Sequence, residues 1–222
     1  MDIEQARFNM VEQQVRTWDV LDSAVLDLLY IVKREHFVPP AYRALAFADM
    51  EIPLRVEDWD SGESMWSPKL EARFLQELAV RSGDRVLEIG TGSGYMAALL
   101  AHQADEVASV EIEPRLKAFG EDNLRRAGVH NVRVTLADAS HGFVEGAPYD
   151  VIVVTGSLPV VPPLLIDQLK VGGRLAAIVG DEPAMVAQIT TRITDAGYDT
   201  LNLFETSVKS LRNAPRPSGF KF

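Results

Sequence analysis

An alternating run of glycines is the part of the sequence whose residue types and spacing best suit chemistry. The segment Val86–Ile89, which is apolar apart from Glu88, leads into Gly90, Gly92 and Gly94, after which a helical pattern begins. Glycine lets the backbone approach a ligand closely, and the free N–H groups at a helix N-terminus attract anionic groups. Glu88 lies two positions before the first glycine. A diphosphate gains nothing from that carboxylate, whereas a ligand that carries an ammonium and a sulfonium group does.

Two further acidic residues follow the glycines at the ends of predicted strands. Glu111 ends the next strand, roughly 20 residues after the glycines, where a carboxylate accepts hydrogen bonds from the hydroxyls of a ribose. Asp138 follows the strand after that, where its side chain and the neighbouring backbone can contact an adenine edge. The pattern predicts S-adenosylmethionine as the cofactor and S-adenosylhomocysteine as the product. The predicted cofactor-binding residues are Glu88, Gly90, Thr91, Gly92, Gly94, Tyr95, Glu111, Ile112, Asp138 and Ala139.

Each of these features has an ordinary explanation when it is taken alone. Alternating glycines are most often a turn, a glutamate at a strand end is usually solvated, and Asp138 suits a turn. Their order within one α/β segment favours a shared ligand site. The glycine spacing also disfavours a nicotinamide site. In the dinucleotide fingerprint the third glycine follows the second by three residues, and here the interval is two.

The residues that would carry this chemistry lie in a predicted α/β domain with a doubly wound, mainly parallel sheet. From residue 84 onward, short apolar strands alternate with helices, which is typical of a sheet covered on both faces. The predicted strands are Arg85–Ile89, Glu106–Glu111, Asn131–Leu136, Tyr149–Thr155 and Arg174–Val179. The predicted helices are Tyr95–Gln103, Arg115–Ala127 with Gly128 as its cap, Pro162–Leu169, and a last one that is marked by Met185, Val186, Ile189 and Ile193 and ends at Gly197.

The chain before the sheet is predicted to be a helical extension. Helices are expected from Asp2, from near Asp22, and from Lys69 to Ala79, whereas residues 49–68 are predicted as an irregular loop. The face that the first helix is expected to bury consists of Phe8, Val11, Val15 and Trp18. The second helix is expected to bury Val25, Leu26, Leu29 and Val32.

These elements are predicted to form one methyltransferase domain over residues 1–222. Its parts are the N-terminal helices with the acceptor-site loop in 1–80, the cofactor-binding α/β core in 81–204, and a basic C-terminal tail in 205–222. The basic residues of the tail are Lys209, Arg212, Arg216 and Lys221. Such a tail can help to hold an acidic acceptor, although many tails are simply packed or frayed.

Composition and charge narrow the partners and the location. A formal net charge of −10 disfavours nucleic acid as a partner. The absence of cysteine excludes disulfides, thiolate metal sites and cysteine nucleophiles. No metal site is predicted, and the oligomeric state stays open. The N-terminus lacks the apolar core of a signal peptide, and no apolar stretch is long enough for a bilayer, so a cytoplasmic location without a membrane partner is predicted. The histidines, which show no metal-ligand spacing, are His36, His102, His130 and His141.

Several blocks of the sequence resemble the protein-L-isoaspartate O-methyltransferase family, over residues 8–180. The blocks are Met10–Gln13, Arg34–Pro40, Val86–Tyr95, Val110–Ile112, Tyr149–Thr155 and Leu169–Leu175. The resemblance implies a seven-stranded, Rossmann-like sheet of the class I methyltransferase type with an N-terminal helical extension over the site. It also implies protein repair, in which the carboxylate of isoaspartyl residues in peptides or proteins is methylated from S-adenosylmethionine.

The loop before the third predicted helix departs from the family pattern. The family usually has Gly-Gln-Thr-Ile-Ser-x-Pro, with that Ser at the acceptor site and implicated in catalysis. Residues 62–68 read Gly-Glu-Ser-Met-Trp-Ser-Pro, which puts Trp66 at the position of the family's Ser and Ser67 one residue later. A large indole therefore replaces a small hydroxyl. The candidate catalytic residues are Ser67, Trp66 and Ser64, and Thr155–Pro159 also differs from the family's Thr-Ala-Ala-Ala-Pro.

Three functions stay open at this point. The leading hypothesis is carboxyl methylation of isoaspartyl sites in peptides or proteins. Trp66 motivates a second, in which the methyl acceptor is a small molecule or another protein group. The third is a catalytically silent protein that binds S-adenosylmethionine or S-adenosylhomocysteine and works through a partner. Ser67 takes the catalytic role only if the loop shifts. Otherwise both serines are ordinary loop residues, and Trp66 is a lid plug or a stacking platform.

Overall fold

The computed structural model describes residues 2–216, so Lys221 of the predicted basic tail lies outside it. The main sheet has seven strands in the order β5-β4-β3-β6-β7-β8-β9, which confirms the predicted doubly wound, mainly parallel α/β class. The strands are β1 (Ile52–Val56), β2 (Trp59–Met65), β3 (Arg85–Ile89), β4 (Glu106–Glu111), β5 (Val132–Leu136), β6 (Tyr149–Leu158), β7 (Leu169–Asp181), β8 (Ala184–Arg192) and β9 (Tyr198–Thr206). The α-helices are α1 (Ile3–Asn9), α2 (Ser23–Ile31), α3 (Pro68–Leu78), α4 (Tyr95–Gln103), α5 (Pro114–Arg126) and α6 (Pro163–Asp167). No helix among the described residues combines the length and apolar character needed to cross a membrane.

The centre of the sheet is built from short apolar strands that are buried on both faces. β3 pairs in parallel with β4 on one side and with β6 on the other, so that Leu87 lies between Ala108 and Ile152. Leu87 and Ile152 are fully buried, as expected for strands with helices on each face. The strand order reverses between β3 and β6. Open α/β sheets bind ligands at the carboxyl ends of the strands beside such a reversal.

The last strands of the sheet, β7 to β9, run antiparallel, and β9 forms one edge. The helix predicted to end at Gly197 is wrong, because Ala184–Arg192 is strand β8. Its apolar residues happen to fit a helical period, but the burial alternates, with Met185, Ala187 and Ile189 on the buried face. Pairing with a strand on each side decided the conformation of this ambiguous segment.

The first helix begins where it was predicted, with the Asp2 side chain accepting a hydrogen bond from a backbone N–H of the first turn. After α1 the chain continues as a π-helical segment, Met10–Val15, whose wider turn changes the direction of the following side chains. Val11 and Val15 are buried as expected, but Phe8 is 49% exposed. The predicted burial of Phe8 is therefore wrong, because a regular helical period does not hold across this segment.

Residues 49–68 contain a β-hairpin, so the predicted irregular loop is wrong. β1 and β2 pair antiparallel through a tight turn at which Glu57 has a φ of 54°. Ile52 and Leu54 are buried on one face of the hairpin. Acidic residues around them hid this alternation in the sequence. The hairpin carries the chain to Trp66 at the carboxyl edge of the main sheet.

Two buried ion pairs connect separate elements within residues 1–80. Arg7 pairs with Glu35, and Arg34 pairs with Glu71 of α3. Arg34 also donates a hydrogen bond to the carbonyl of Trp66 at 2.6 Å. Removing one partner of a buried pair leaves an uncompensated charge, so these contacts fix how the extension meets the hairpin.

Candidate functional site

The glycine turn connects β3 to α4 and is held by neighbouring elements. Gly90 has a φ of 100°, and a Cβ atom there would overlap the hydroxyl of Thr155 in β6. Thr155 donates a hydrogen bond to the Gly90 carbonyl at 2.7 Å. Gly94 caps α4 with a φ of 80°, and a Cβ atom there would lie 3.0 Å from the carbonyl oxygen of Gly120 in α5. Only glycine suits positions 90 and 94. The turn that they form exposes the backbone of Gly90 and Gly92 at the surface of a cavity.

The cavity has a volume of about 770 Å³, counting the space that opens to solvent. It lies at the carboxyl ends of β3, β4 and β6, where the strand order reverses. Its size is within the usual range for small-molecule sites, about 300–1,000 Å³. The apolar side chains that line it include Ile89, Val110, Ile112, Leu116 and Ala139. Charged side chains around it include Glu51, Glu63, Glu111, Asp138, Lys209 and Arg212.

Glu111 lies at the end of β4 with its carboxylate between the glycine turn and α5. One oxygen accepts a hydrogen bond from the backbone N–H of Gly92 at 2.8 Å, and the other accepts from the backbone N–H of Glu113 at 3.0 Å. Burial raises the pKa of Glu111 on balance, although these hydrogen bonds lower it. The adjacent Ile112 also lines the cavity. A carboxylate fixed in this way can accept hydrogen bonds from two neighbouring hydroxyls.

Asp138 and Ala139 follow β5 on the far side of the cavity. Asp138 accepts hydrogen bonds from the backbone N–H of Ser140 at 2.9 Å and from the amide of Asn213 at 2.7 Å. Partial burial raises the pKa of Asp138, but these hydrogen bonds outweigh it and the pKa is lowered overall. Ala139 is buried and contributes an apolar surface. Together they offer a charged acceptor beside a flat apolar contact, which suits a heteroaromatic ring.

Glu88 lies beneath the glycine turn and is entirely buried. One oxygen accepts a hydrogen bond from the Ser109 hydroxyl at 2.5 Å, and that hydroxyl lies 2.6 Å from the hydroxyl of Thr91. The other oxygen has no hydrogen-bond partner among residues 2–216. Burial raises the pKa of Glu88 to about 8. Glu88 faces a smaller cavity that shares Gly90 and Gly92 with the main one.

Other predicted cofactor-binding residues support the turn from behind. Thr91 lines only the smaller cavity, and Gly94 and Tyr95 line neither of the two in the described structure. The Tyr95 ring is buried, with its centroid 5.4 Å from that of Phe37 and 5.1 Å from the guanidinium carbon of Arg34. These side chains therefore fix the start of α4 against the N-terminal extension.

Two of the candidate catalytic residues reach the cavity. Ser64 and Trp66 line its hairpin side. The Trp66 side chain is only 5% exposed and packs on Phe74, with ring centroids 5.1 Å apart. Ser67 does not line the cavity in the described structure, because it is the N-cap residue of α3. The structure thus places Ser64 and Trp66 in the same cavity as the glycine turn, and it places Ser67 outside that cavity at the start of α3.

A C-terminal strap, defined as residues Val208–Asn213, forms a wall of the cavity, whereas the sequence suggested only that the basic tail can help to hold an acceptor. Its first five residues line the cavity. Ser157 at the end of β6 holds the strap, since its backbone N–H donates to the Lys209 carbonyl at 3.0 Å and its carbonyl accepts from the Leu211 N–H at 2.9 Å. The basic character of the tail was the one available signal. Two hairpin residues of the cavity that were also missed are Glu51 and Glu63.

The donor set fits a positively charged nucleoside better than a dinucleotide. Glu111 and Asp138 line the cavity with fixed carboxylates, and the Glu88 oxygen that has no partner among residues 2–216 lies below the turn. The basic side chains of Lys209 and Arg212 are already paired with carboxylates. A diphosphate would meet net negative charge here, whereas a sulfonium ion and an ammonium group would be attracted.

The mainly parallel sheet, the glycine turn after β3 and the carboxylate at the end of β4 are typical of the class I S-adenosylmethionine-dependent methyltransferases, and this protein is an enzyme of that class. A sequence model of Protein-L-isoaspartate(D-aspartate) O-methyltransferase matches residues 5–206. The chain belongs to that family, which confirms the resemblance seen in the sequence.

Individual relatives agree with the family match. A protein-L-isoaspartate O-methyltransferase of Methanoculleus marisnigri is 44% identical over 174 residues, which cover 78% of this chain and 77% of the relative. One of Marinobacter nauticus is 39% identical over 199 residues and 89% of each chain. A solved protein-L-isoaspartate O-methyltransferase superposes with a TM-score of 0.78 at 27% identity, covering 94% of this chain and 65% of the other.

A second solved structure shows the same fold at lower identity. It is a Plasmodium falciparum protein that was solved in complex with S-adenosyl-L-homocysteine. It superposes with a TM-score of 0.77 at 19% identity, covering 92% of this chain and 97% of the other. The agreement extends over nearly the whole of both chains, so it supports the fold outside the sheet as well.

Proposed function

We propose that this enzyme methylates the free carboxylate of L-isoaspartyl residues in peptides or proteins. The observation that supports this proposal most is that one cavity is lined both by the glycine turn with Glu111 and by Ser64 and Trp66. A cofactor and a carboxylate acceptor can therefore approach each other from opposite walls. The family match supports the choice of acceptor.

The chemistry requires alignment and the exclusion of water more than it requires a catalytic base. When bound, S-adenosylmethionine supplies an electrophilic methyl group, which passes to a carboxylate oxygen as the carbon–sulfur bond breaks, giving a methyl ester and S-adenosylhomocysteine. An ionised carboxylate has no proton to lose. Orientation alone contributes up to about 7–11 kcal/mol in well-aligned intramolecular reactions. The protein's task is to hold both partners in one geometry.

The cofactor side of the cavity has a proposed role for each predicted residue. Glu111 accepts hydrogen bonds from the ribose hydroxyls, while Asp138 with Ile112 and Ala139 contacts the adenine. The backbone of Gly90 and Gly92 contacts the methionyl end. The remaining predicted residues lie under the glycine turn and hold its conformation. They are Glu88, Thr91, Gly94 and Tyr95.

The acceptor side has a different arrangement from the family pattern. We assign Ser64 as the hydroxyl that positions the acceptor carboxylate, because it lines the cavity and Ser67 does not. Trp66 forms the apolar wall beside it and keeps water out. Ser67 joins the site only if the chain shifts by one residue at the start of α3.

The buried indole of Trp66 also supports a second candidate acceptor. It fills space beside the cavity where a small residue would leave room, so a compact carboxylate outside a peptide fits the same wall. In this case the cofactor side and the chemistry are unchanged. Competition between an isoaspartyl peptide and small carboxylic acids separates the two candidates.

The test uses two peptides that differ only in the linkage of one aspartyl residue. With labelled S-adenosylmethionine, the isoaspartyl peptide should gain base-labile label that is released as methanol, and the matched aspartyl peptide should not. Equal labelling of both peptides, or of neither, refutes the proposed acceptor. Label on a small carboxylic acid alone would establish the second candidate.

The domain organisation and the location are further parts of this proposal. Residues 1–80 supply the acceptor side and 81–204 the cofactor core, with the strap from the 205–222 tail completing one methyltransferase unit. The cytoplasmic location stays a prediction from the N-terminal sequence. Cell fractionation checks it.

A further inference from the structure

The C-terminal strap lies beyond the family match, which ends at residue 206. It is nevertheless closely packed against the sheet. A Cβ atom at Gly156 would lie 2.9 Å from the backbone nitrogen of Leu211, so the strap sits directly on the end of β6.

Arg212 makes three hydrogen bonds from the strap to two other elements, strand β2 and the start of α5. Its Nε donates to Glu63 at 2.8 Å and its Nη2 donates to the carbonyl of Ser61 at 3.0 Å, both in β2. Its Nη1 donates to Glu113 at 3.3 Å, at the start of α5. A planar guanidinium can hold several acceptors in one fixed geometry, which an ammonium group cannot do. The three elements are thereby joined through a single side chain.

The two carboxylates that Arg212 holds are each next to a proposed site residue. Glu63 directly precedes Ser64, on the acceptor side. The backbone N–H of Glu113 donates to Glu111, on the cofactor side. A shift of either carboxylate therefore moves a neighbouring group of the site. Arg212 spans the gap between them without being one of the proposed reacting groups.

Lys209 provides an internal comparison within the same strap. Its Nζ donates to the Gly62 carbonyl at 2.6 Å and lies 3.2 Å from Glu63. Among the described residues, the hydrogen bond and the ion pair of its side chain are both on the hairpin side. The strap thus carries one cation that reaches both sides of the cavity and one that reaches a single side.

We propose that Arg212 is a positioning residue that ties the acceptor hairpin to the turn holding the cofactor ribose. The inference rests on the proposed roles of Glu111 and Ser64. It assigns the C-terminal strap to the site, as the element that sets the distance between its two walls.

The test compares the Arg212→Gln, Lys209→Gln and Arg125→Gln variants with the parent enzyme. Arg125 pairs with Asp122 on the exposed surface of α5 and serves as the matched control. Calorimetry with S-adenosylhomocysteine gives Kd without any acceptor. Hydrogen exchange in that complex follows the peptide segments 61–66 and 111–115.

Arg212→Gln should raise the Kd for S-adenosylhomocysteine about tenfold, which corresponds to about 1.4 kcal/mol. It should also speed exchange in both segments. Lys209→Gln should speed exchange in 61–66 alone, and Arg125→Gln should change neither segment nor Kd. The Glu113→Gln variant removes one of the same contacts. In the Arg212→Gln/Glu113→Gln double variant, the rise in Kd should therefore be no larger than the larger of the rises in the two single variants.

An unchanged Kd in Arg212→Gln, or faster exchange in only one segment, overturns the inference. A lower Tm with unchanged Kd and exchange does so too, because it would show a merely structural role. These measurements need no methyl acceptor. If the enzyme fails to methylate an isoaspartyl peptide, the proposed function fails while the coupling by Arg212 is still decided.

Discussion

Replacing the buried Glu88 by glutamine should change how the stability of the protein depends on pH. Glu88 is wholly enclosed, one of its oxygens lacks a hydrogen-bond partner among residues 2–216, and burial raises its pKa to about 8 from a reference value of 4.5. Glutamine has nearly the same shape and can still accept the hydrogen bond from Ser109, but it carries no charge at any pH. The variant therefore isolates the titration from the packing.

The sign follows from the proton balance of unfolding. Below pH 4.5 the carboxyl is protonated in both states. Between about pH 4.5 and about 8 the folded protein keeps a proton that the unfolded chain has released, so each pH unit lowers the free energy of unfolding by about 1.4 kcal/mol. Over the whole interval the loss is on the order of 5 kcal/mol for this one group. Above pH 8 the loss is complete and the dependence levels off.

Urea denaturation from pH 5 to pH 8 measures this difference. The stability of Glu88→Gln relative to the parent should rise with pH by about 1.4 kcal/mol per unit. Substitution of the exposed Glu205 by glutamine is the control and should give a curve parallel to that of the parent. Parallel curves for Glu88→Gln and the parent would refute the assignment of a raised pKa. The slope contributed by Glu71, whose pKa burial raises to about 7, is expected in both proteins.

Three other substitutions test separate parts of the site. Gly90→Ala should lower the free energy of unfolding by about 2 kcal/mol or more in urea denaturation, because its φ of 100° is strained for alanine and the added methyl group overlaps Thr155. Glu111→Gln should raise the Kd for S-adenosylhomocysteine about 10- to 100-fold in calorimetry, because it loses charged hydrogen bonds. Trp66→Ser should lower the free energy of unfolding by about 3–5 kcal/mol, since the indole packs on Phe74, and should change the acceptor KM more than the Kd for S-adenosylhomocysteine.

Each of these outcomes has a clear opposite. A fully stable Gly90→Ala variant would mean that the turn relaxes around a side chain. Binding of S-adenosylhomocysteine by Glu111→Gln at the parent's affinity would remove Glu111 from the cofactor site. A Trp66→Ser variant with an unchanged acceptor KM would show that the indole serves the core alone.

The sheet could be predicted where the sequence carries a strong local signal. Val151–Val154 is a continuous apolar run, and Val86–Ile89 is apolar apart from Glu88, as is typical of strands buried on both faces. The prediction for β8 was wrong because its apolar residues also fit a helical period, and only pairing with the neighbouring strands decides between helix and strand. The β1–β2 hairpin was not predicted because acidic residues obscured a short alternation of apolar and polar residues.

In the site, too, the residues that follow from local sequence could be predicted, and the features that depend on distant contacts could not. Glu111 and Asp138 could be placed because the end of a parallel strand is a position with a known direction. The complete burial of Glu88 could not, since it depends on Ser109 and on the helices that cover the turn. The strap could not be found either, because its residues meet the hairpin across more than half of the chain.

The position of β9 at the rim of the sheet has a consequence for how copies of the protein meet. Within the described part of the chain β9 pairs with β8 alone, so one row of its backbone amides and carbonyls faces outward. Such a row is a template for adding a strand from another molecule. Asp199 and Glu205 on this strand, together with the chain's formal charge of −10, make two such edges repel each other at neutral pH. Concentrated salt or acid weakens that repulsion, and under those conditions aggregation should begin at β9.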